Sequence, residues 1–278
     1  MPYNLDHVPS HPMEKGFYKH LAHPYVFIDE CIQIWSDIDF ATLNGHAVTA
    51  SYITAFRPDD GPGNALEAIA AWCRIPEACD GVHLAFTAAD IVAAKHQGQA
   101  AIVMTSQGGD FLGQNIHRLK AFPRLGLRMM ISAYNSRSAL GDGCLEAANF
   151  GVTNWGPLNI GADMTARPTL AHFLDALDYM IDKVGIDHVD IGTSMRHGTY
   201  PDGDLVRNRP AAATGRYAKH VEGNLRSRLR HVDGFDDYGQ LLDVAEAMHK
   251  RGLGQADVEK VLGGNWLRVF EQVWGGFA

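Results

Sequence analysis

Cysteine is scarce in this sequence, positive charge is in the minority, and no long apolar run occurs. The four cysteines, Cys31, Cys73, Cys79 and Cys144, form no Cys-x-x-Cys pair, which removes the common zinc-finger and thioredoxin-type spacings. Reduced thiols in a cytoplasmic protein are the expectation that follows. Lys and Arg number 24 against 32 Asp and Glu, for a formal charge of −8. An acidic chain of this kind lacks the basic patch that a nucleic-acid partner requires. No block of like charge is long enough to form an interaction tail. The start, Met1 to His7, carries neither the basic nor the apolar region of a signal peptide. No apolar stretch approaches the roughly 20 residues that span a bilayer. No membrane partner is therefore expected.

What is present suits a globular enzyme-sized chain. Hydrophobic residues make up 46% and charged residues 20% of 278 residues, enough apolar material for a substantial core. Apolar runs alternate with amphipathic ones. Strands are expected over Tyr25–Asp29, Ala47–Phe56, Ala100–Thr105, Leu127–Ile131, Phe150–Trp155 and His188–Gly192. Helices are expected over Ala65–Cys73, Thr87–Lys95, Gly113–Phe122, Thr169–Val184, Gln240–Arg251 and Gln255–Trp274. Thr87 and Asp90 have the spacing of a capping box. Leu170, Phe173, Leu174, Leu177, Met180 and Ile181 recur at helical spacing. Strand–helix alternation at this spacing predicts a parallel α/β fold, most simply a (β/α) barrel. No repeat or linker divides the chain, so a single barrel domain over 25–278 is expected after an N-terminal arm over 1–24.

The last stretch, Gly252 to Phe270, reads as a helix that stops at Gly263-Gly264 and restarts at Asn265. This run resembles the C-terminal signature of the renal (membrane) dipeptidase family, binuclear-zinc (β/α)-barrel peptidases. Further blocks are similar to the same family in order and spacing: Thr87 to Gly98, Leu125 to Met129, Tyr134-Asn135 with Gly141 to Cys144, and Val184 to Thr193. The resemblance implies a TIM-barrel-like fold, hydrolysis of small peptides or related amides, and a dipeptide-like small-molecule ligand.

The family's zinc chemistry can be followed residue by residue. In zinc-binding members the first strand ends in His-x-Asp, the third supplies a bridging Glu, two later strands each supply a His, and the last supplies an Asp. Carboxylates and imidazoles hold two Zn²⁺ ions, which polarise the scissile carbonyl and acidify the bridging water. Here the first strand reads Asp29-Glu30-Cys31-Ile32-Gln33, the bridging position is Gln107, and Ser194 stands where the Asp is expected. Between Cys144 and Trp155 there is no room for two further βα units, since one such unit takes about 30 residues. An alternative alignment matches Gly151 to Gly156 with a family motif and moves the gap to just after it. Either way the two His-bearing strands are missing, and the barrel is expected to be incomplete, with about six strands and C-terminal helices.

The expected pocket is therefore Gln33, Gln107, Tyr134, Asn135, Ser194 and Arg196, without a metal site. Histidine is plentiful, at 14 residues, and His188, His197, His117 and Cys31 invite a rebuilt metal site. His188, however, lies in a run whose family members do not bind metal there, and His117 sits among Arg118 and Lys120, facing solvent. His7, His11, His20 and His23 have no ligand spacing. Only Cys31 and His197 belong near the barrel mouth, and they are the candidate nucleophile and base. The bland reading of Cys31 is a buried structural thiol, and that of the Arg-rich segment Arg207–Arg230 a solvated lid. The alternative to an amide hydrolase is a non-catalytic homologue that binds a small ligand or assembles. An open seam would expose unpaired strand edges, so a homodimer or larger oligomer is expected.

Overall fold

The computed structural model describes residues 24–32, 48–79, 81–134, 138, 140–141, 168–193, 195 and 232–274. Five strands form one sheet: β1 (Ile28–Ile32), β2 (Ala50–Phe56), β3 (Val82–Leu84), β4 (Ala100–Ser106) and β5 (Leu127–Met130). Every pairing is parallel. The order runs β1–β2–β4, and β4 then shares its far edge between two partners. β3 pairs with its first half, Val82 opposite Ala100, and β5 with its last, Ser106 opposite Met130.

All seven residues of β4 are buried, which is why the strand reads as a continuous apolar run rather than an alternating one. Successive side chains take opposite faces, and each face has its own core. Ile28, Ala50, Tyr52, Ala101 and Val103 pack with Ala88, Ile91 and Ala94 of helix α3 (Ala88–Gln97) and with Phe270 and Trp274 of α8 (Asn265–Trp274). Phe27, Ile53, Ala55, Ile102 and Met104 belong to the other core. That core takes in Ala65, Ile69 and Trp72 of α1 (Pro62–Cys73), Leu174 and Leu177 of α5 (Leu170–Val184), and Leu241, Val244 and Met248 of α6 (Leu241–Lys250). Two single-turn helices, α2 (Ile75–Ala78) and α4 (Arg118–Ala121), lie between these elements, and α7 (Gln255–Glu259) precedes α8.

The helix starts follow the sequence. Thr87 Oγ1 accepts from Asp90 N at 3.2 Å and Asp90 Oδ2 accepts from Thr87 N at 2.8 Å, the reciprocal capping box that its spacing predicts. α1 begins with Pro62 at its first position, where the missing N–H costs nothing. Its Trp72 donates Nε1–H to Ala55 O at 2.9 Å, so this large side chain is buried without an orphaned donor.

The C-terminal signature is a structural clamp. Between α7 and α8 the helix widens into one π-type turn over Lys260–Gly264, so the chain bends at the glycines rather than stopping. A Cβ on Gly263 would sit 2.6 Å from Val26 O and 2.9 Å from Ile28 Cγ1; only glycine lets the helix lie this close to the start of β1. Asn265, 3% exposed, donates Nδ2–H to Ile186 O at 2.8 Å and to Val189 O at 3.0 Å. Arg268 Nη2 donates to Asp187 O at 2.6 Å.

Two expectations are corrected and one strand is added. His188–Gly192 is not a strand: Ile186–His188 forms a single 3-10 turn and the residues after it have no ladder partner among the described residues. Asn265 and Asp29 take up Val189 O and Thr193 N, backbone groups that a ladder would use. The helix expected over Gly113–Phe122 is one turn, Arg118–Ala121, followed by a 3-10 turn around Pro123. Residues 113–117 are exposed and offer no face to bury, and tertiary burial is what sustains most protein helices. β3 was absent from the expected strands because three residues carry too little periodicity to register. The expected strand Phe150–Trp155 lies outside the described residues.

Candidate functional site

The C-terminal ends of parallel strands are where sites form on this architecture; the chain fixes one polar feature near the start of β1 and a second at the C-terminal end of β4. The first is on β1. Asp29 is fully buried, and both carboxylate oxygens are engaged by one residue: Oδ1 accepts from Thr193 N at 3.0 Å and Oδ2 from Thr193 Oγ1 at 2.5 Å. The Thr193 hydroxyl accepts in turn from Met195 N at 3.0 Å, and Met195 O accepts from the buried Tyr238 hydroxyl at 3.2 Å. A buried carboxylate is tolerated because it accepts hydrogen bonds, and this chain of bonds ties β1 to the 189–195 segment and to the approach to α6. Ser51, opposite Asp29 in the register, is also buried.

The second feature is the loop after β4. Ser106 Oγ donates to Gly108 O and accepts from Gly108 N. A Cβ on Gly108 would lie 2.3 Å from Pro58 O, and one on Gly109 2.9 Å from Ser132 O. The Gln107-Gly108-Gly109 loop is thus pressed between the turn after β2 and the chain leaving β5. That first turn is itself held by Arg57 N donating to Asp60 Oδ2 at 2.8 Å. Gln107, half-buried, comes out of this rigid loop with no partner for its amide among the described residues.

Three of the expected site residues therefore come from the ends of three strands. Cys31 is in β1, with its backbone described, Gln107 follows β4, and Tyr134 follows β5 with 37% exposure. Gln33, Asn135, Ser194, Arg196 and His197 lie outside the described residues, so the Cys31–His197 pairing has no geometry to weigh. His117 and His188 are exposed, as solvated histidines would be. The residues that sequence reasoning missed are Asp29 and Thr193. A carboxylate inside the apolar run from Tyr25 to Ile32 was a legible signal, whereas Thr193 carried none.

The donor chemistry bears on zinc. Gln107 offers a neutral amide, and both oxygens of Asp29 are engaged by Thr193. No group of three or more His, Cys, Asp or Glu is close enough to hold a metal ion among the described residues. The described residues do not fit a pair of dications, which need anionic ligands to balance their charge.

A parallel sheet buried on both faces, with a fixed polar loop at the C-terminal end of β4, belongs to the α/β class that includes the (β/α) barrels. In the described residues the sheet is open, with β1 at one edge and β3 and β5 at the other. The chain belongs to the family described as membrane dipeptidase (peptidase family M19), whose sequence model matches residues 20–164.

Among curated proteins, dipeptidase tcpJ of Claviceps purpurea (strain 20.1) is 22% identical over 240 residues. That alignment takes in 70% of this chain and 56% of the fungal protein, so the chain spans little more than half of that relative's length. Among solved structures, an amidohydrolase from Pseudomonas aeruginosa superposes with a TM-score of 0.70 at 21% identity, covering 92% of this chain and 98% of that one. The probable dipeptidase PvdM from the same organism gives 0.59 at 14% identity, covering 92% and 97%. A metallo peptidase from Rhodobacter sphaeroides, liganded with a phosphinate mimic of the dipeptide L-Ala-D-Ala, gives 0.56 at 13% identity, covering 90% and 99%. No helix among the described residues is long and apolar enough to cross a membrane.

Proposed function

We propose that this chain is a dipeptidase-family protein whose barrel mouth binds a small dipeptide-like or related amide ligand without the paired-zinc hydrolysis of its zinc-binding relatives. The observation that carries the reading is Gln107. It stands where the resemblance places the bridging glutamate, and its loop is fixed by Gly108 against Pro58. An amide polarises and orients a ligand by hydrogen bonds but contributes no charge to a metal pair. The engagement of both Asp29 oxygens by Thr193 supports the same reading, because that carboxylate is spent within the protein. The pocket would draw on Gln107 and Tyr134, with Gln33, Asn135, Ser194 and Arg196 completing it, in a single barrel domain over 25–278. A cytoplasmic homodimer or larger assembly is part of the proposal.

The test combines metal content, turnover and binding on the purified protein. Expected are less than one chelator-resistant zinc per chain, dipeptide hydrolysis at background, and saturable binding of a phosphinate dipeptide mimic that weakens in Gln107→Leu. Stoichiometric zinc surviving dialysis against a chelator, with activity lost in Cys31→Ala or His197→Ala, would establish a rebuilt catalytic site instead. Failure of the mimic to bind would remove the ligand-binding reading.

A further inference from the structure

A concave site lies away from the strand C-terminal ends, beside the start of β1. A cleft of about 480 Å³ is bordered by the 186–188 turn and the junction of α7 and α8, a size in the range of small-molecule sites. Its make-up follows from the bend between the two helices. Lys260, Gly264 and Arg268 border it from the π-type turn and the start of α8. Asp187, Glu259 and Asn265 complete the charged and polar lining.

The cations and anions are held but not exhausted. Lys260 Nζ lies 2.8 Å from Asp187 Oδ1, and this pairing holds the Asp187 carboxyl below its usual range and raises Lys260. Gln255 Nε2 donates to Glu259 Oε1 at 2.8 Å. Arg268 spends Nη2 on Asp187 O at 2.6 Å. Asp187 Oδ2, Glu259 Oε2 and the Nε and Nη1 donors of Arg268 have no partner among the described residues. The free Nη1 of Arg268 can donate a charge-assisted hydrogen bond to a carboxylate, and the two carboxylate oxygens are acceptors for an ammonium group.

We propose that this cleft binds a small zwitterion of the free amino-acid type, its carboxylate on Arg268 and its ammonium between Asp187 and Glu259. A simple anion or a simple cation would satisfy only half of the lining. The site is independent of the ligand at the barrel mouth.

The experiment titrates the full-length protein with glycine by nuclear magnetic resonance, with acetate and methylammonium as separate arms. Glycine is expected to saturate in the millimolar range, with acetate and methylammonium each about tenfold weaker or more. Arg268→Gln keeps a donor for Asp187 O and should weaken glycine about tenfold. Glu259→Gln should weaken glycine and leave acetate unchanged. Thermal melts of each variant separate loss of the site from loss of the fold. No saturation by glycine up to about 50 mM, or acetate binding as tightly as glycine, would overturn the proposal. So would glycine binding unchanged in a folded Glu259→Gln.

Discussion

The carboxylate of Asp29 and the hydroxyl of Thr193 meet at 2.5 Å across 164 residues of sequence. The contact joins the first strand to the segment that leads into the Ser194–His197 region. Because Thr193 engages Asp29 through both its backbone N–H and its hydroxyl, only half of the contact is open to side-chain substitution. Thr193→Val keeps the shape, removes the hydroxyl donor and leaves a fully buried carboxylate oxygen short of one hydrogen bond. Urea unfolding is expected to show a loss of about 1–3 kcal/mol, the usual cost of stranding a buried polar partner. Thr193→Ser, which restores the hydroxyl, should recover most of it. Equal stability of the valine and serine variants would show that the hydroxyl contributes nothing.

Gly108 and Gly263 are held by close approach. Alanine at either would bring a Cβ within 2.3 Å of Pro58 O or 2.6 Å of Val26 O. Each substitution should destabilise by about 1–3 kcal/mol through forced backbone shifts. Gly61, with nothing within 4 Å of the added carbon, should accept alanine with little change. Gly108→Ala should also weaken the phosphinate mimic by displacing Gln107, whereas Gly263→Ala should leave its affinity unaltered in the folded fraction. Melting curves and titrations on the same samples separate the two effects.

Asn265 serves two buried carbonyls with one amide nitrogen. Asn265→Leu preserves bulk and strands Ile186 O and Val189 O, so a loss of roughly 2–4 kcal/mol is expected in chemical denaturation. Asn265→Asp should be as harmful near neutral pH, since an ionised carboxylate is an acceptor facing two acceptors. It should partly recover under mildly acidic conditions, where the protonated acid donates one hydrogen bond.

Burial lowers the Lys95 amine from 10.5 to about 8, because desolvation disfavours the ammonium form. Between those values the unfolded chain binds more protons than the folded one, so this residue makes stability rise with pH from about 8 towards 10.5. Below that window both states are protonated and the desolvation cost is present in full. Lys95→Met should therefore be more stable than the parent at pH 7, with a gain that shrinks as pH rises through the window. A gain independent of pH would point to packing rather than ionisation. The half-exposed position keeps the effect modest.

Gln107→Glu restores one carboxylate at the end of β4. Zinc content measured after chelator dialysis should stay below one per chain, and dipeptide turnover should stay at background, because one bridging group without flanking ligands cannot neutralise two dications. Tight zinc in this single variant would show that the remaining ligands are in place.

The sequence by itself determined the elements with strong local chemistry. Thr87 and Asp90 named the start of α3, the spacing of Leu170 to Ile181 named α5, and the apolar run from Ala100 named β4. In each, a short-range rule and long-range burial agree. It also determined the family, through blocks whose order survives divergence, and it placed Gln107 at a strand end. Tertiary structure decided the rest. His188–Gly192 has the composition of a strand, yet Asn265 and Asp29 claim backbone groups that a ladder would use. Residues 113–117 have no core to lie against, so the helix shrank to one turn. The Asp29–Thr193 contact and the cleft between Asp187 and Arg268 join residues far apart in the chain, and no local pattern encodes either. Propensity acts over a few residues, whereas the competition for buried hydrogen-bonding groups is settled only when the whole chain is packed.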